Sequence, residues 1–568
     1  MVNRKDKKPE KVMQIERFLS QTKVMVVLIL IMDLFFFFAG NFIFNSVARL
    51  PEMLKDLDNP KKYINLSNIL PNFRIIGELK EMYVFLLIVL IVALAIFDIY
   101  TAYKMKVAWS EEYFNIGQKG TSRWTTDQEI KEQFDEIPDR DVPFDGRGGA
   151  IVSRMGDRLY IDRSPVNNLD IGTTRSGKDE MFVYPEIDVY SRANEKSSLI
   201  INDPKLESYK SSKETLEKRG YVVYLLNFMD PLHSAGFNPL DMVVKLYSDG
   251  DYDNAELLAQ AFAFSIFNPE EPTCTDSFWN DASTSLLVAL ILAHLEDCIK
   301  LDEISNNRRY VAWMEKRNAY DRLSDEAKGE AEKKYREELD RDGDIILNPK
   351  IKYLPKDEEY KLKHDNVKKV NMYSIINTFT ELARIHPDDK NPDLTMLDEY
   401  FNKRSPLNRA KLKYAGIEIS GDRTKSSIFS VMLSKLSVFT YESMAEMTTE
   451  SSFDLEEIGF GDKPVAVFMG LPDYDKSKHF MSTVFTRQLY FVLAKKSTEI
   501  KSGKCSRPVK FKLNEFGNMP AIEAMDSIIT VCLGRNISFD LVVQSYAQIT
   551  KLYGQEGAST IRENCGNH

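Results

Sequence analysis

GTTRSGKDE, from Gly172 to Glu180, is the stretch of this chain that decides its fold. Gly172 and Gly177 stand at the spacing that lets backbone N–H groups wrap a polyphosphate, and Lys178 follows where an ammonium reaches the β- and γ-phosphates. In such a loop the next residue is Ser or Thr, whose hydroxyl binds Mg²⁺, but here it is Asp179. The stretch therefore predicts a phosphate-binding loop with one ligand replaced.

The residues around the loop have the order that this motif requires. A short strand is predicted at Asn167–Ile171 and a helix at Lys178–Ala193, with Pro185 as an irregularity in that helix. The glycine and lysine spacing alone can arise by chance. A strand before it and a helix after it make a chance match less probable. The candidate phosphate-binding residues are Gly172, Thr173, Thr174, Arg175, Ser176, Gly177, Lys178 and Asp179.

Composition limits the possible classes of protein. With 568 residues the chain has room for about three domains. Its formal charge of −10 argues against a protein that simply coats DNA, so any nucleic-acid contact needs a local basic surface. The five cysteines and six histidines lack the spacings of a zinc site or a disulfide framework.

Two apolar runs near the N-terminus predict membrane spans. Val24–Phe44 and Tyr83–Tyr103 are each long enough to cross about 30 Å of hydrocarbon as a helix. Basic residues precede the first run and follow the second, so the positive-inside rule places the N-terminus and the main domain in the cytoplasm. Asp33 is costly inside a membrane and is expected to face another helix. The alternative, two buried core helices, is disfavoured because neither run has a polar face.

Beyond the spans, strand and helix patterns alternate, which is typical of a parallel sheet with helices on both faces. The predicted strands are Asn167–Ile171, Ser198–Asn202, Tyr221–Leu226, Pro464–Leu471, Val509–Leu513 and Ile537–Val543. Between the third and fourth strands helical periodicity dominates, which predicts an all-α insertion. The predicted domains are a transmembrane hairpin anchor (1–106), the first part of a nucleotide-binding domain (107–252), the insertion (253–452) and the second part of that domain (453–568).

A basic cluster lies within the predicted insertion and is a candidate for contact with a phosphate backbone. Solvated helix faces are the alternative interpretation for charge of this kind. The members of the cluster are Lys403, Arg404, Arg409, Lys411 and Lys413.

A second motif, Phe511–Glu515, has the pattern of the Walker B strand of a P-loop ATPase. There an Asp at the strand end holds Mg²⁺ through water, and the Glu after it orients or deprotonates the attacking water. Here Asn514 stands at the Asp position and Glu515 is the candidate general base. An amide can hydrogen-bond a metal-bound water but lacks the charge that attracts Mg²⁺. Asn514 and Asp179 are the candidate metal-contacting residues.

Two further candidates flank the last predicted strand. Gln544 follows that strand, where an amide can sense the γ-phosphate, and Arg535 precedes it. Arg535 is a candidate arginine finger acting in trans in a ring, with a helix-end or surface role as the alternative. With Lys178 and Glu515 they form the candidate catalytic set.

Taken together, these motifs resemble those of the type IV coupling proteins, the TraG-type conjugation ATPases, in the version carried by Gram-positive conjugative elements. The resemblance covers nearly the whole chain. The segments that carry it are GTTRSGK at Gly172–Lys178, DPKLE at Asp203–Glu207, FNPL at Phe237–Leu240, NEFGNMP at Asn514–Pro520 and QSYAQITKLYG at Gln544–Gly554.

The resemblance implies a RecA-like P-loop domain of α/β class with an inserted all-α domain and a two-helix membrane anchor. It also implies ATP and Mg²⁺ as cofactors and a homohexamer in the cytoplasmic membrane. The partners that it implies are a relaxase bound to single-stranded DNA and the subunits of a type IV secretion channel. The all-α domain is implied to recognise the substrate.

Departures from the family pattern leave other functions open. Asp179 and Asn514 motivate a second hypothesis, a membrane receptor that docks the substrate but hydrolyses ATP poorly. A third, a chromosome-partition DNA translocase of the FtsK type, is disfavoured by the helical insertion. Because the chain ends at His568, where the family's sheet continues, we also expect a truncated product that lacks a strand and any tail.

Overall fold

The computed structural model describes residues 22–55, 58, 62, 79–118, 125–173, 175–268, 277–339, 344–355, 357–384, 395–472 and 474–567. Thr174 of the predicted phosphate loop and the basic residues before Thr22 lie outside these ranges. The chain divides into two units, residues 1–126 and 127–568. The finer predicted boundaries, near residues 106, 252 and 452, stay a prediction.

The first unit contains the two predicted apolar helices, which pack against each other. A Cβ on Gly40 would lie 2.6 Å from Leu90 Cδ2, and the rings of Phe36 and Phe97 meet edge to face. The candidate membrane spans in these helices are Val26–Val47 and Val84–Lys104. The helices of the unit are α1 (Thr22–Ala48), α2 (Leu50–Met53) and α3 (Leu79–Gln118).

Asp33 of α1 faces another helix, as expected from the cost of a carboxyl group in hydrocarbon. Its side chain hydrogen-bonds the carboxyl group of Asp98 on α3 of the same chain. The contact therefore lies between the two apolar helices of this unit.

The second unit is built on a seven-stranded parallel sheet with the order β12-β5-β11-β10-β7-β9-β8. Its central strands are buried on both faces, as parallel strands between helical layers must be. The strands are β1 (Asp135–Pro138), β2 (Phe144–Arg147), β3 (Ala150–Met155), β4 (Arg158–Asp162), β5 (Asn167–Ile171), β6 (Ala193–Glu195), β7 (Ser198–Asn202), β8 (Val222–Asn227), β9 (Val465–Gly470), β10 (Val509–Leu513), β11 (Ile537–Val543) and β12 (Cys565–Asn567). The predicted strands are thus confirmed, with shifts of one residue at the ends of two of them.

Helices cover both faces of this sheet and form the region between β8 and β9. The helices that flank the sheet are α4 (Asp127–Gln133), α5 (Tyr184–Arg192), α6 (Glu207–Lys218), α16 (Glu457–Phe460), α17 (Phe480–Glu499), α18 (Met525–Val531) and α19 (Tyr546–Glu563). Those between β8 and the last turn before β9 are α7 (Asp241–Ser248), α8 (Tyr252–Phe267), α9 (Ser277–Asp321), α10 (Asp325–Leu339), α11 (Met372–Leu382), α12 (Met396–Asn402), α13 (Arg409–Glu418), α14 (Asp422–Leu436) and α15 (Glu442–Met447). The described residues from 253 to 452 contribute no strand to the sheet, in line with the predicted helical character.

Helix α9 is long and apolar enough to cross a membrane, but most of its apolar stretch is buried inside the second unit. Leu287, Leu290 and Ile291 are fully buried there in the main hydrophobic core. This burial is what a core helix shows, in contrast to the exposed apolar side chains of the first unit.

The edge of the sheet beyond β5 carries a strand that was not among the predicted ones. Cys565–Asn567 pairs in parallel with β5. Asn567 Nδ2 also donates to Asn168 Oδ1 at 3.0 Å, which ties the short strand to its neighbour. The expectation of a further strand and tail after His568 stays a prediction.

Candidate active site

The carboxyl ends of β5, β11 and β10 lie side by side, because these strands are parallel neighbours in the sheet. The phosphate loop leaves β5, and its first residue, Gly172, donates its N–H to Val543 O of β11 at 3.0 Å. The Asn514–Glu515 pair leaves β10, and Gln544 leaves β11. The order of the strands thus brings together segments that are far apart in the chain.

Backbone geometry explains why the loop needs its glycines. Gly177 has φ of +83°, a left-handed conformation that side chains with a Cβ rarely adopt. A Cβ on Gly172 would collide with Ser176 Oγ across the turn. Lys178 then begins the helical segment and is only 9% exposed. One wide turn, Asp179–Val183, separates it from α5.

Three of the four predicted catalytic residues meet at one carboxylate. Lys178 Nζ lies 2.5 Å from Glu515 Oε1, although 337 positions separate the two residues. Gln544 Nε2 donates to Glu515 Oε2 at 2.9 Å, and Asn518 Nδ2 donates to the same oxygen at 2.9 Å. Glu515 is therefore oriented by one cation and two amides, and Asn518 is a member of this cluster that sequence reasoning missed.

The two residues that depart from the usual pattern contact each other. Asn514 Nδ2 donates to Asp179 Oδ1 at 2.9 Å, and Asn514 Oδ1 accepts the Glu515 N–H at 3.0 Å. The Asn514 carbonyl accepts Asn202 Nδ2 at 2.5 Å from the end of β7. The amide of Asn514 is thus held with its nitrogen toward Asp179. Asn202 was also missed, and its position at the end of the predicted strand Ser198–Asn202 was the available signal.

Arg535 is not brought to this cluster. It precedes β11 and so lies at the amino edge of the sheet, whereas Glu515 lies at the carboxyl edge. Its Nη1 donates to Ala494 O at 2.6 Å. Within one chain Arg535 therefore contacts a helix backbone, and its suggested role in trans stays a prediction.

The basic cluster of the helical region is largely neutralised within the chain. Four of its members form ion pairs with acidic side chains, and the fifth donates to an amide. The contacts are Lys403–Glu399 at 2.9 Å, Arg404–Asp297 at 2.7 Å, Arg409–Asp253 at 2.8 Å, Lys413–Glu256 at 2.8 Å and Lys411–Asn402 at 2.8 Å. These partners remove the reason for predicting a phosphate-binding surface there.

A buried layer of charge lies on the sheet face beneath the phosphate-loop helix, and sequence reasoning missed it. Lys512 of β10 forms ion pairs with Glu186 of α5 and with Asp540 of β11, the latter at 3.1 Å. Lys510 Nζ lies 2.6 Å from the other oxygen of Asp540. Burial raises the pKa of the Asp540 carboxyl, but Lys510 and Lys512 outweigh it and hold that pKa below its ordinary value. The layer therefore keeps Asp540 ionised inside the protein.

Asp203, the residue after β7, is a buried carboxylate at the same edge as Glu515. Burial raises its pKa to about 6, although the Tyr209 N–H donates to its Oδ2 at 2.8 Å. Among the described residues no lysine or arginine forms a salt bridge with it. Asp203 is thus buried without a cation.

A cavity of about 540 Å³ opens beside the phosphate loop. Gly172 and Lys178 line one side, and Ile151 of β3 and Gly566 of β12 line the other. Its volume lies within the range of pockets that hold a drug-sized ligand. The arrangement offers a phosphate-binding turn with room for a small molecule beside it, and an oriented carboxylate that contacts Lys178 of the same turn.

A model of the family described as type IV secretory system conjugative DNA transfer matches residues 124–342 and 358–567. Similar solved structures include the bacterial conjugative coupling protein TrwBdeltaN70 with sulphate, at 12% identity and a TM-score of 0.37, covering 76% of this chain and 80% of that one. Plasmid coupling protein TrwB with the ATP analogue ADPNP is 13% identical, with a TM-score of 0.38 and the same coverage of both chains. TrwB with ADP and Mg²⁺ is 13% identical, with a TM-score of 0.34, covering 70% of this chain and 68% of that one. No curated protein matches the chain. The family match spans both halves of the site.

Proposed function

This chain belongs to the type IV secretory system conjugative DNA transfer family, and we propose that it is a membrane-anchored ATPase that couples a relaxase–DNA substrate to a type IV secretion channel. ATP is the proposed nucleotide and Mg²⁺ the proposed metal. The observation that carries the proposal is the meeting of Lys178, Glu515 and Gln544 at one edge of the sheet.

Binding of the nucleotide uses the loop and the cavity. The backbone N–H groups of the turn that begins at Gly172 receive the phosphates, and the cavity beside Lys178 receives the nucleoside. Asp179 and Asn514 would hold Mg²⁺, and their oxygens are of the hard type that this ion prefers. When bound, Mg²⁺ supplies positive charge that offsets the phosphates.

Hydrolysis follows from a change of partner at Lys178. The ammonium now bonds Glu515, but a triphosphate carries more negative charge than one carboxylate and competes for it. Transfer of the ammonium frees Glu515 Oε1, while Gln544 and Asn518 keep Oε2 in place. The freed oxygen then accepts a proton from the attacking water.

The remaining parts of the proposal concern location and assembly. The candidate spans Val26–Val47 and Val84–Lys104 anchor the protein in the cytoplasmic membrane, with the N-terminus and the main domain in the cytoplasm. A homohexamer carries the substrate, and in such a ring Arg535 reaches the neighbouring nucleotide. The helices between residues 253 and 452 recognise the relaxase and its single-stranded DNA.

A second candidate is a receptor that docks the substrate and hydrolyses ATP poorly. The contact between Asp179 and Asn514 favours it, because these are the two positions that depart from the usual site. This candidate predicts nucleotide binding without appreciable turnover.

Turnover by the full chain in lipid nanodiscs tests the proposal, with and without single-stranded DNA. We expect DNA-stimulated hydrolysis by the wild type, loss of nucleotide binding in Lys178→Ala, and retained binding without turnover in Glu515→Gln. Lys504→Ala, at an exposed position, is the matched control and should behave like the wild type. Binding without turnover in the wild type would support the receptor, and no binding at all would reject both candidates.

A further inference from the structure

In the metal-binding half of the site, the carboxylate and the neutral side chain occupy each other's usual positions. The usual arrangement is a neutral hydroxyl in the loop and a carboxylate at the strand end. Here the loop carries the carboxylate, Asp179, and the strand end carries the neutral amide, Asn514. The two side chains meet at 2.9 Å, so both belong to one site.

We propose that Asp179 supplies the carboxylate that the strand end lacks, so that the site holds its divalent cation from the loop side. This inference rests on the proposed function, since it concerns the metal that accompanies the nucleotide. On this inference the site keeps one carboxylate for the metal, because the carboxylate missing from the strand end is supplied by the loop.

The contacts of Asn514 assign the charged role to Asp179. The Asn514 Oδ1 atom already accepts the Glu515 N–H, and the Nδ2 atom is the one that faces Asp179. The oxygen with negative charge at this contact therefore belongs to Asp179. Lys178, the adjacent cation, is paired with Glu515 instead.

The second oxygen of Asp179 is available to a cation. Its Oδ1 accepts the amide of Asn514, and among the residues that the structure describes no lysine or arginine forms a salt bridge with either oxygen. Asp179 is partly exposed, so a hydrated ion can reach it from solvent. A carboxylate with water in the remaining positions is a ligand set that suits Mg²⁺.

The exchange has a consequence that a conventional site does not share. A carboxylate in the loop repels the phosphates of a metal-free nucleotide, whereas a hydroxyl does not. A bound divalent cation turns this repulsion into attraction, because the cation is attracted both to the carboxylate and to the phosphates. Nucleotide binding by this chain should therefore depend on the metal more steeply than binding by a loop with Ser at this position.

The test compares the affinity for a non-hydrolysable ATP analogue in Mg²⁺ and in EDTA, using the full chain in nanodiscs. For the wild type we expect tighter binding in Mg²⁺ by about 100-fold, near the upper end of ordinary coupling between two ligands. Asp179→Ser should lower this ratio to about 10-fold or less, because metal-free binding improves and metal-bound binding weakens. Asp179→Ser combined with Asn514→Asp should recover the affinity in Mg²⁺ but keep the ratio below that of the wild type, because the loop then lacks the carboxylate that repels the metal-free nucleotide.

Glu180→Gln is the matched control, because it removes the adjacent exposed acid and should leave the ratio unchanged. A direct readout is Mn²⁺ bound to the complex with the analogue, followed by electron paramagnetic resonance, which Asp179→Asn should weaken by about 10-fold. Equal thermal unfolding of each variant and the wild type establishes that the folds match.

The outcomes separate the inference from the function on which it rests. If the wild type binds the analogue and Asp179→Ser keeps its metal dependence, the exchange is rejected and the nucleotide site stands. If the wild type does not bind the analogue in Mg²⁺, or if Lys178→Ala binds it equally well, the proposed function fails and the exchange fails with it.

Discussion

Two lysine–carboxylate pairs connect the phosphate-loop helix to β10, and they differ in burial. Lys512 on the strand pairs with Glu186 on the helix, and these side chains are 2% and 3% exposed. Lys178 at the start of the helix pairs with Glu515 just beyond the strand, and these side chains are 9% and 21% exposed. The first pair is almost fully buried, whereas the second is partly exposed at the carboxyl edge of the sheet.

The difference teaches which ion pair can change partners. Lys512 also lies 3.1 Å from Asp540, so removing its charge would leave the buried Glu186 without a cation and Asp540 with Lys510 alone. Glu515 keeps the amides of Gln544 and Asn518 and partial access to solvent when Lys178 leaves. Burial therefore fixes the Lys512–Glu186 pair as part of the folded core, whereas the Lys178–Glu515 pair is free to take part in the reaction.

The largest expected effect is at the buried pair. Lys512→Met keeps the length of the side chain but removes its charge, and we expect the free energy of unfolding to fall by about 3–5 kcal/mol. Denaturant unfolding of the full chain in detergent measures this. Lys504→Ala, an exposed change, should cost less than about 0.5 kcal/mol. A loss below about 1 kcal/mol for Lys512→Met would mean that the buried layer is not held by this lysine.

An intermediate effect is expected at Asp203, which is buried without a cation. Its pKa in the folded protein, about 6, lies above the ordinary value of 3.8, so the stability that its protonation contributes is present at low pH and lost as the pH rises through 6. Asp203→Asn should therefore stabilise the protein by about 3 kcal/mol at pH 7.5 and have little effect at pH 4.

The midpoint of thermal unfolding at the two pH values checks the Asp203 prediction. Asp462→Asn, an exposed acid-to-amide change, is the matched control and should shift neither midpoint. An equal shift at both pH values for Asp203→Asn would show that packing, and not ionisation, produced the effect.

The smallest effect on stability is expected at the Lys178–Glu515 pair. Lys178→Ala should change the free energy of unfolding without nucleotide by about 1 kcal/mol or less, because Glu515 retains two hydrogen bonds and some solvent. Denaturant unfolding without nucleotide measures it, beside Lys512→Met. If Lys178→Ala lowered the free energy of unfolding as much as Lys512→Met, the comparison would be contradicted, since the Lys178–Glu515 pair would then stabilise the fold as strongly as the buried pair.

Much of the fold could be predicted from the chain's local pattern. The strands Asn167–Ile171, Ser198–Asn202 and Val509–Leu513 were predicted with the bounds that the structure has, because each is a short run between turn residues. The apolar helices of the first unit followed from their length and composition. The short strand Cys565–Asn567 was missed because three residues carry no periodicity.

The site was predictable in part. Glu515 and Gln544 follow strand ends and Lys178 ends the loop after β5, all in recognisable motifs, and the parallel sheet carries all three to one edge. The basic cluster of Lys403 and its neighbours was misinterpreted because three of the four acids that pair with it, Asp297, Asp253 and Glu256, come from other helices. The buried lysines of β10 were also missed, since a sequence does not show which carboxylates will face a strand.

Local chemistry by itself determined the phosphate loop, the strand that bears Glu515 and the two apolar helices, because each depends on residues adjacent in the chain. Only the tertiary structure decided which charges meet, because a salt bridge depends on the order of strands and on burial, and both are set by contacts between distant segments. The pairing of Asp179 with Asn514 is the clearest case. The sequence marks each as an exception, and the fold places the two exceptions in contact.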